Sequence, residues 1–158
     1  MREKEWRTCA MTVNGLPQRV RYRTDTVEHL FLPLLRRLTE LQRRSGRRCI
    51  VFLAAPPATG KTTLAQFLAQ LSRTEAGLTP VQALGMDGFH YPNRCLAAHT
   101  IRQGGEEIPL KSIKGAPETF DVAALAAKLG AAREESVTFP VYDRRIHDVV
   151  PNAVTADA

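Results

Sequence analysis

Cysteine is scarce: Cys9, Cys49 and Cys95 are the only three in 158 residues, an odd number at spacings that match no metal knuckle or redox pair. Reduced thiols are expected, and with them a cytoplasmic location. No apolar run approaches membrane-spanning length, which removes the membrane as an expected partner. Met1-Arg2-Glu3-Lys4-Glu5-Trp6-Arg7 is charged where a secretory signal would be apolar. Aromatic residues make up only 6% of the chain, too few for a surface built to stack bases. Internal repeats and low-complexity tracts are also missing, so one domain covering 1–158 is expected, with an N-terminal part at 1–46 and a core at 47–158.

Positive charge is in surplus. The net charge is +6, and Arg36, Arg37, Arg43, Arg44, Arg47 and Arg48 gather on one helical segment and its exit. Such a cluster permits nucleic-acid binding. A solvated helix face, or an enzyme for anionic substrates, accounts for the same residues, and no nucleic-acid module is recognisable. Nucleic acid therefore ranks well below a small molecule as the expected partner.

The most specific feature is the run Ile50-Val51-Phe52-Leu53-Ala54-Ala55-Pro56-Pro57-Ala58-Thr59-Gly60-Lys61-Thr62-Thr63. An apolar strand that delivers a tight turn to a helix start points backbone N–H groups and the helix's positive end at one anion, the arrangement that cradles phosphates. Pro57, Ala58, Thr59, Gly60, Lys61, Thr62 and Thr63 are the expected nucleotide-binding residues. Lys61 would reach the β- and γ-phosphates of ATP, and the Thr62 hydroxyl would take a magnesium position. Leu64, Phe67, Leu68 and Leu71 supply the helical apolar stripe that the motif requires. The pattern departs from the usual glycines at Ala55 and Ala58; an alanine held left-handed there costs about 1–2 kcal/mol.

Around this loop the chain alternates strand and helix signals. Asn14-Gly15 predicts a hairpin within Thr12 to Tyr22. A helix should follow, with an Asp25 to Glu28 capping box, the stripe Val27, Leu30, Phe31, Leu34, Leu38 and Leu41, a kink or division at Pro33, and an end at Ser45-Gly46. Cys49 to Ala54, Val81 to Met86 and Ser136 to Tyr142 read as buried strands. Asp121 should cap a helix whose apolar face is Val122, Leu125, Ala126 and Leu129. Residues 94–116 read as a mobile substrate-side loop with at most one short helix, and 148–158 as a small polar tail. The predicted class is α/β: a P-loop NTPase with a three-layer, mainly parallel sheet flanked by helices, preceded by the N-terminal hairpin and helix.

Asp87, at the carboxyl end of the second predicted strand, is where a carboxylate could take the proton of an acceptor hydroxyl. A bare Asp-Gly turn is the competing reading. Leu53 to Thr63, Met86-Asp87-Gly88-Phe89-His90-Tyr91-Pro92-Asn93, Lys114-Gly115-Ala116-Pro117-Glu118-Thr119-Phe120-Asp121 and Pro140-Val141-Tyr142-Asp143-Arg144-Arg145-Ile146-His147-Asp148-Val149-Val150-Pro151 form an ordered set. Together they resemble the phosphoribulokinase and uridine kinase superfamily. The nearest likeness is to bacterial nucleoside/nucleotide-kinase-like proteins related to type I pantothenate kinase.

That resemblance implies phosphoryl transfer from Mg-ATP to a hydroxyl of a small metabolite: a nucleoside, a pantothenate-like alcohol or a sugar. Lys61 and Asp87 would be catalytic. Tyr142 and His147 fall where such kinases bind the acceptor, with Lys114, Arg144, His90 and Tyr91 as further acceptor candidates. For Lys114, Arg144 and Arg145 a solvated charge is an equal reading, and for His90 and Tyr91 a packed pair is. The superfamily continues with another strand, an arginine-bearing lid and an adenine segment, for which this sequence has no counterpart after Ala158. An open sheet flank is then expected, so a homodimer stands among the partners considered. A non-catalytic nucleotide-binding or regulatory fragment is the alternative function.

Overall fold

A computed structural model describes residues 5–156; the first four and last two residues, among them the charged opening Met1-Arg2-Glu3-Lys4, lie outside the described part. The chain divides into two compact units, Met1–Ala83 and Leu84–Ala158.

In the first unit, β1 (Trp6–Val13) and β2 (Leu16–Arg23) form the predicted hairpin, paired from Trp6–Arg23 to Val13–Leu16. Asn14 at φ 51° and Gly15 at φ 81° make the turn, the left-handed pair whose twist suits a two-residue connection. Helix α1 (Thr24–Thr26) runs through a π-helical stretch at Val27–Phe31 into α2 (Leu32–Ser45). The predicted division at Pro33 does not occur. The widened turn, in which Leu32 N–H reaches back to Val27 O, absorbs the proline's missing donor and ring bulk instead. The Asp25 capping box is not formed either: the helix begins two residues earlier, with Arg23 at the cap position, and Asp25 Oδ1 pairs with His29 Nδ1 at 3.0 Å. Gly46, left-handed at φ 64°, ends α2 by donating to Gln42 O.

Helix α3 (Lys61–Thr74) buries Phe67 and Leu71 against Val27, Phe31, Leu32 and Leu35. The inward hairpin residues Cys9, Met11, Val20 and Tyr22 close over this cluster. Tyr22 is the keystone, with its ring 4.5 Å from Phe67 and 5.2 Å from Phe31.

In the second unit, a 3-10 turn (Met86–Phe89) leads to α4 (Asn93–Ala98), then to the hairpin of β3 (Thr100–Gln103) and β4 (Glu106–Pro109), two further 3-10 turns and α5 (Val122–Ala131). β5 (Val137–Asp143) and β6 (Asp148–Ala156) form a last antiparallel pair. The core is Phe89, Ala132, Phe139 and Ala156, with Ala124, Leu125, Leu129 and Val137 packed on it. Asp121 caps α5 as predicted, its Oδ1 accepting from Ala124 N at 2.9 Å. The helix is turned from the predicted face, however: Val122 is 58% exposed and Ala124 points inward in its place.

Three expectations are corrected. Residues 94–116 are a helix and a hairpin, not a mobile loop; Ile101 pairs with Ile108 across Gly104-Gly105, at φ 61° and 92°. The tail at 148–156 is a strand. Every ladder among the described residues is two-stranded and antiparallel, so the predicted parallel sheet is not formed there. Cys49 to Ala54 and Val81 to Met86 lie in no ladder, and Val51, Phe52 and Leu53 are 56%, 77% and 47% exposed. At the start of the second segment, Val81 N–H is taken by Ser72 Oγ, a side chain of α3, in place of a neighbouring strand. Among the described residues no helix is long and apolar enough to cross a membrane.

Candidate functional site

Two sets of residues carry the predicted chemistry, one in each unit. In the first, Gly60 at φ 85° turns the chain directly into α3, and Ala58 at φ 62° adopts the left-handed conformation that favours glycine. Ala55 stays out of that region, so the strain falls on Ala58 alone. Thr59 Oγ1 and Lys61 Nζ both donate to Pro56 O, each at 2.8 Å, closing the loop on itself. Leu64 N–H is the first of α3 to bond a carbonyl, that of Gly60 at 2.9 Å. The N–H groups of Lys61, Thr62 and Thr63 and the Thr62 hydroxyl make no hydrogen bond to a described residue. Unsatisfied N–H groups at the start of a 14-residue helix, an ammonium and a hydroxyl are the donor set that a polyphosphate with its magnesium ion needs. Among the described residues no three His, Cys, Asp or Glu side chains gather as a metal site. Magnesium bound largely through phosphate oxygens does not require one.

The second set surrounds Lys114. Its Nζ donates to Asn93 Oδ1 at 2.7 Å, Tyr142 OH at 3.3 Å and His147 O at 3.4 Å, and lies 4.8 Å from the centre of the Tyr142 ring. All of these partners are neutral. Asn93 is the hub: its Nδ2 donates to His147 O at 2.8 Å, and its backbone N–H to Asp148 Oδ1 at 3.0 Å. His90 stacks on Phe120 with centres 3.7 Å apart and meets the Tyr142 ring edge-on at 6.2 Å. Thr119, fully buried, holds this corner, its Oγ1 accepting from Gly115 N–H and its carbonyl from Tyr91 N–H.

Asp87 is the second residue of the 3-10 turn, half-buried, and its carboxylate has no partner among the described residues. Gly88 fixes its position: a Cβ there would fall 2.3 Å from Pro140 O, so only glycine lets the turn lie against β5.

Of the predicted acceptor residues, the structure thus brings Lys114, Tyr142 and His90 together. His147 joins through its carbonyl, at φ 52°, while its side chain stays exposed. Arg144 is exposed and outside the network, and Tyr91 contributes its backbone only. Arg145 folds back on Asp143, and that pairing holds the Asp143 carboxyl below its ordinary range. Sequence reasoning missed Asn93 and Asp148. Both stand in motifs quoted above, but nothing local says that they meet.

Several relatives of this chain are pantothenate kinases. No protein-family model matches it. It is 43% identical over 149 residues to the uncharacterised protein YggC of Escherichia coli K12, an alignment that takes in 94% of this chain and 59% of that protein. It is 30% identical to the pantothenate kinase of Yersinia enterocolitica over 81% of this chain and 43% of the kinase. With that of Cutibacterium acnes it shares 35% identity over 65% of this chain and 29% of the kinase. Among solved structures, a "putative fructose transport system kinase" from Silicibacter sp. TM1040 matches with a TM-score of 0.60 and 29% identity, over 79% of this chain and 56% of that one. The chain is kinase-like in sequence and in fold, and in each case it spans less than two thirds of the relative's length.

Proposed function

We propose that this is a P-loop kinase-like protein that binds Mg-ATP through residues 57–63 and phosphorylates a hydroxyl of a small metabolite. The observation that carries the reading is the loop: a left-handed Gly60 leading into α3, with the N–H groups of Lys61 to Thr63 unbonded and Lys61 beside them. A P-loop NTPase architecture acting as one domain is part of this proposal and is supported by the likeness to the Silicibacter kinase. Bound Mg-ATP would supply the transferable phosphoryl group.

The chain's own residues have distinct tasks. Lys61, now bonded to Pro56 O, would hold phosphate oxygens, and the Thr62 hydroxyl would hold the metal. Asp87, whose carboxylate has no competing partner among the described residues, would take the proton of the acceptor hydroxyl, whose oxygen gains the phosphoryl group as ADP leaves. Lys114 is an ammonium with only neutral partners among the described residues, so an acceptor bearing a carboxylate or phosphate would be held there in preference to a neutral one. Pantothenate and a phosphorylated sugar are the first acceptors to try, with fructose and uridine as neutral comparisons. ADP release should rise on adding the right acceptor and vanish in Asp87→Asn. Release that no acceptor stimulates would remove phosphoryl transfer and leave nucleotide binding alone.

A further inference from the structure

The hairpin β1–β2 has two unlike faces. Cys9, Met11, Val20 and Tyr22 pack on the core. The opposite face carries Trp6, Thr8, Ala10 and Thr12 on β1 against Arg23, Arg21, Arg19 and Pro17 on β2, all exposed. Three arginines therefore stand in a single row, one every second residue, about 7 Å apart. None of them makes an ion pair among the described residues, and no acidic side chain stands opposite on β1. Trp6, the only tryptophan of the chain, is 40% exposed at the end of the row, with the Arg21 guanidinium 5.0 Å from the ring centre.

We infer that this face binds single-stranded nucleic acid. Three exposed arginines in one row, with no ion pair among the described residues, present a line of positive charge to a chain of anions, and their spacing is of the order of that between successive phosphates on an extended strand. Guanidinium groups grip phosphate oxygens in pairs. An indole flanked by a guanidinium is a platform on which a base stacks, which a carboxylate-bearing peptide would not use. The overall scarcity of aromatics excludes a long stacking groove, so the site takes a short stretch of about three nucleotides without sequence preference. It is independent of the phosphate loop.

The single tryptophan makes the test local. Oligo(dT) and oligo(U) 12-mers are titrated into the full chain while Trp6 emission is followed at several salt concentrations, with poly-glutamate and anionic vesicles in parallel. Quenching by the oligonucleotides is expected, with log K falling against log salt at a slope of about −2, as three released counterions from a single strand require. The two oligonucleotides distinguish DNA from RNA. Arg19→Gln/Arg21→Gln/Arg23→Gln should abolish the quench and Arg19→Gln alone should flatten the slope, whereas Lys61→Ala and Arg37→Gln/Arg44→Gln should leave both unchanged. Absence of quenching, equal quenching by poly-glutamate or vesicles, or loss only in the α2 variant would overturn the assignment.

Discussion

The phosphate loop and the Lys114 cluster are held in opposite ways. In the loop, Thr59 and Lys61 bond to Pro56, three and five residues away, so the geometry is stored in a few consecutive residues. Around Lys114, Asn93 comes from α4 and Tyr142 and His147 from the β5–β6 hairpin, 21 to 33 residues away in the chain, and they meet only because the unit folds. A local device can be written as a motif and tolerates change elsewhere in the chain. A distributed one is the folded state itself, so its residues are simultaneously site and scaffold.

The comparison can be broken most severely at Gly88. Gly88→Ala forces a methyl into Pro140 O and should cost about 3 kcal/mol or more, read as a collapse of the urea midpoint, without altering the loop sequence. The lysines sharpen it next. Lys114→Met removes contacts to two distant segments and should lower stability by about 1–2 kcal/mol, discounted for its half-exposed position. Lys61→Met gives up one contact within its own loop and should leave the ligand-free midpoint within about 0.5 kcal/mol. Equal losses for the two would erase the distinction.

Ala58→Gly is smaller and opposite in sign. Relief of left-handed strain outweighs the added chain entropy of glycine, for a gain of about 0.5 kcal/mol on thermal unfolding. Smallest is the acid response of the β5–β6 turn. Arg145 lowers the Asp143 pKa in the folded state, so its contribution is present above the ordinary carboxylate value of 3.8 and is lost as pH falls through the depressed one. NMR titration of Asp143 should show that depression, and Arg145→Ala should return the carboxyl to the usual range.

The same contrast explains what the sequence made legible. Asn14-Gly15, Ser45-Gly46, the α3 stripe and the Asp121 cap rest on residues close in the chain, and the structure forms each one. Ala58 was identifiable as a strained position because the loop pattern wants glycine there. The Ile101–Ile108 hairpin had a cue in Gly104-Gly105 that was passed over, since the flanking strands are only four residues each. The parallel sheet was read from apolar runs alternating with helices, yet a strand exists through its neighbour's hydrogen bonds, and Val51 to Leu53 have none from a ladder. Asn93 and Asp148 lie 55 residues apart, a distance no local pattern bridges.

Thermal unfolding of the 158-residue chain with and without Mg-ATP, beside Lys61→Ala, tests the central claim most directly. Ligand that binds only the folded state must raise the midpoint, by about 2.7 kcal/mol of stability at a hundredfold excess over Kd. The account predicts a rise in the native chain that Lys61→Ala abolishes; no rise, or the same rise in both, would contradict it.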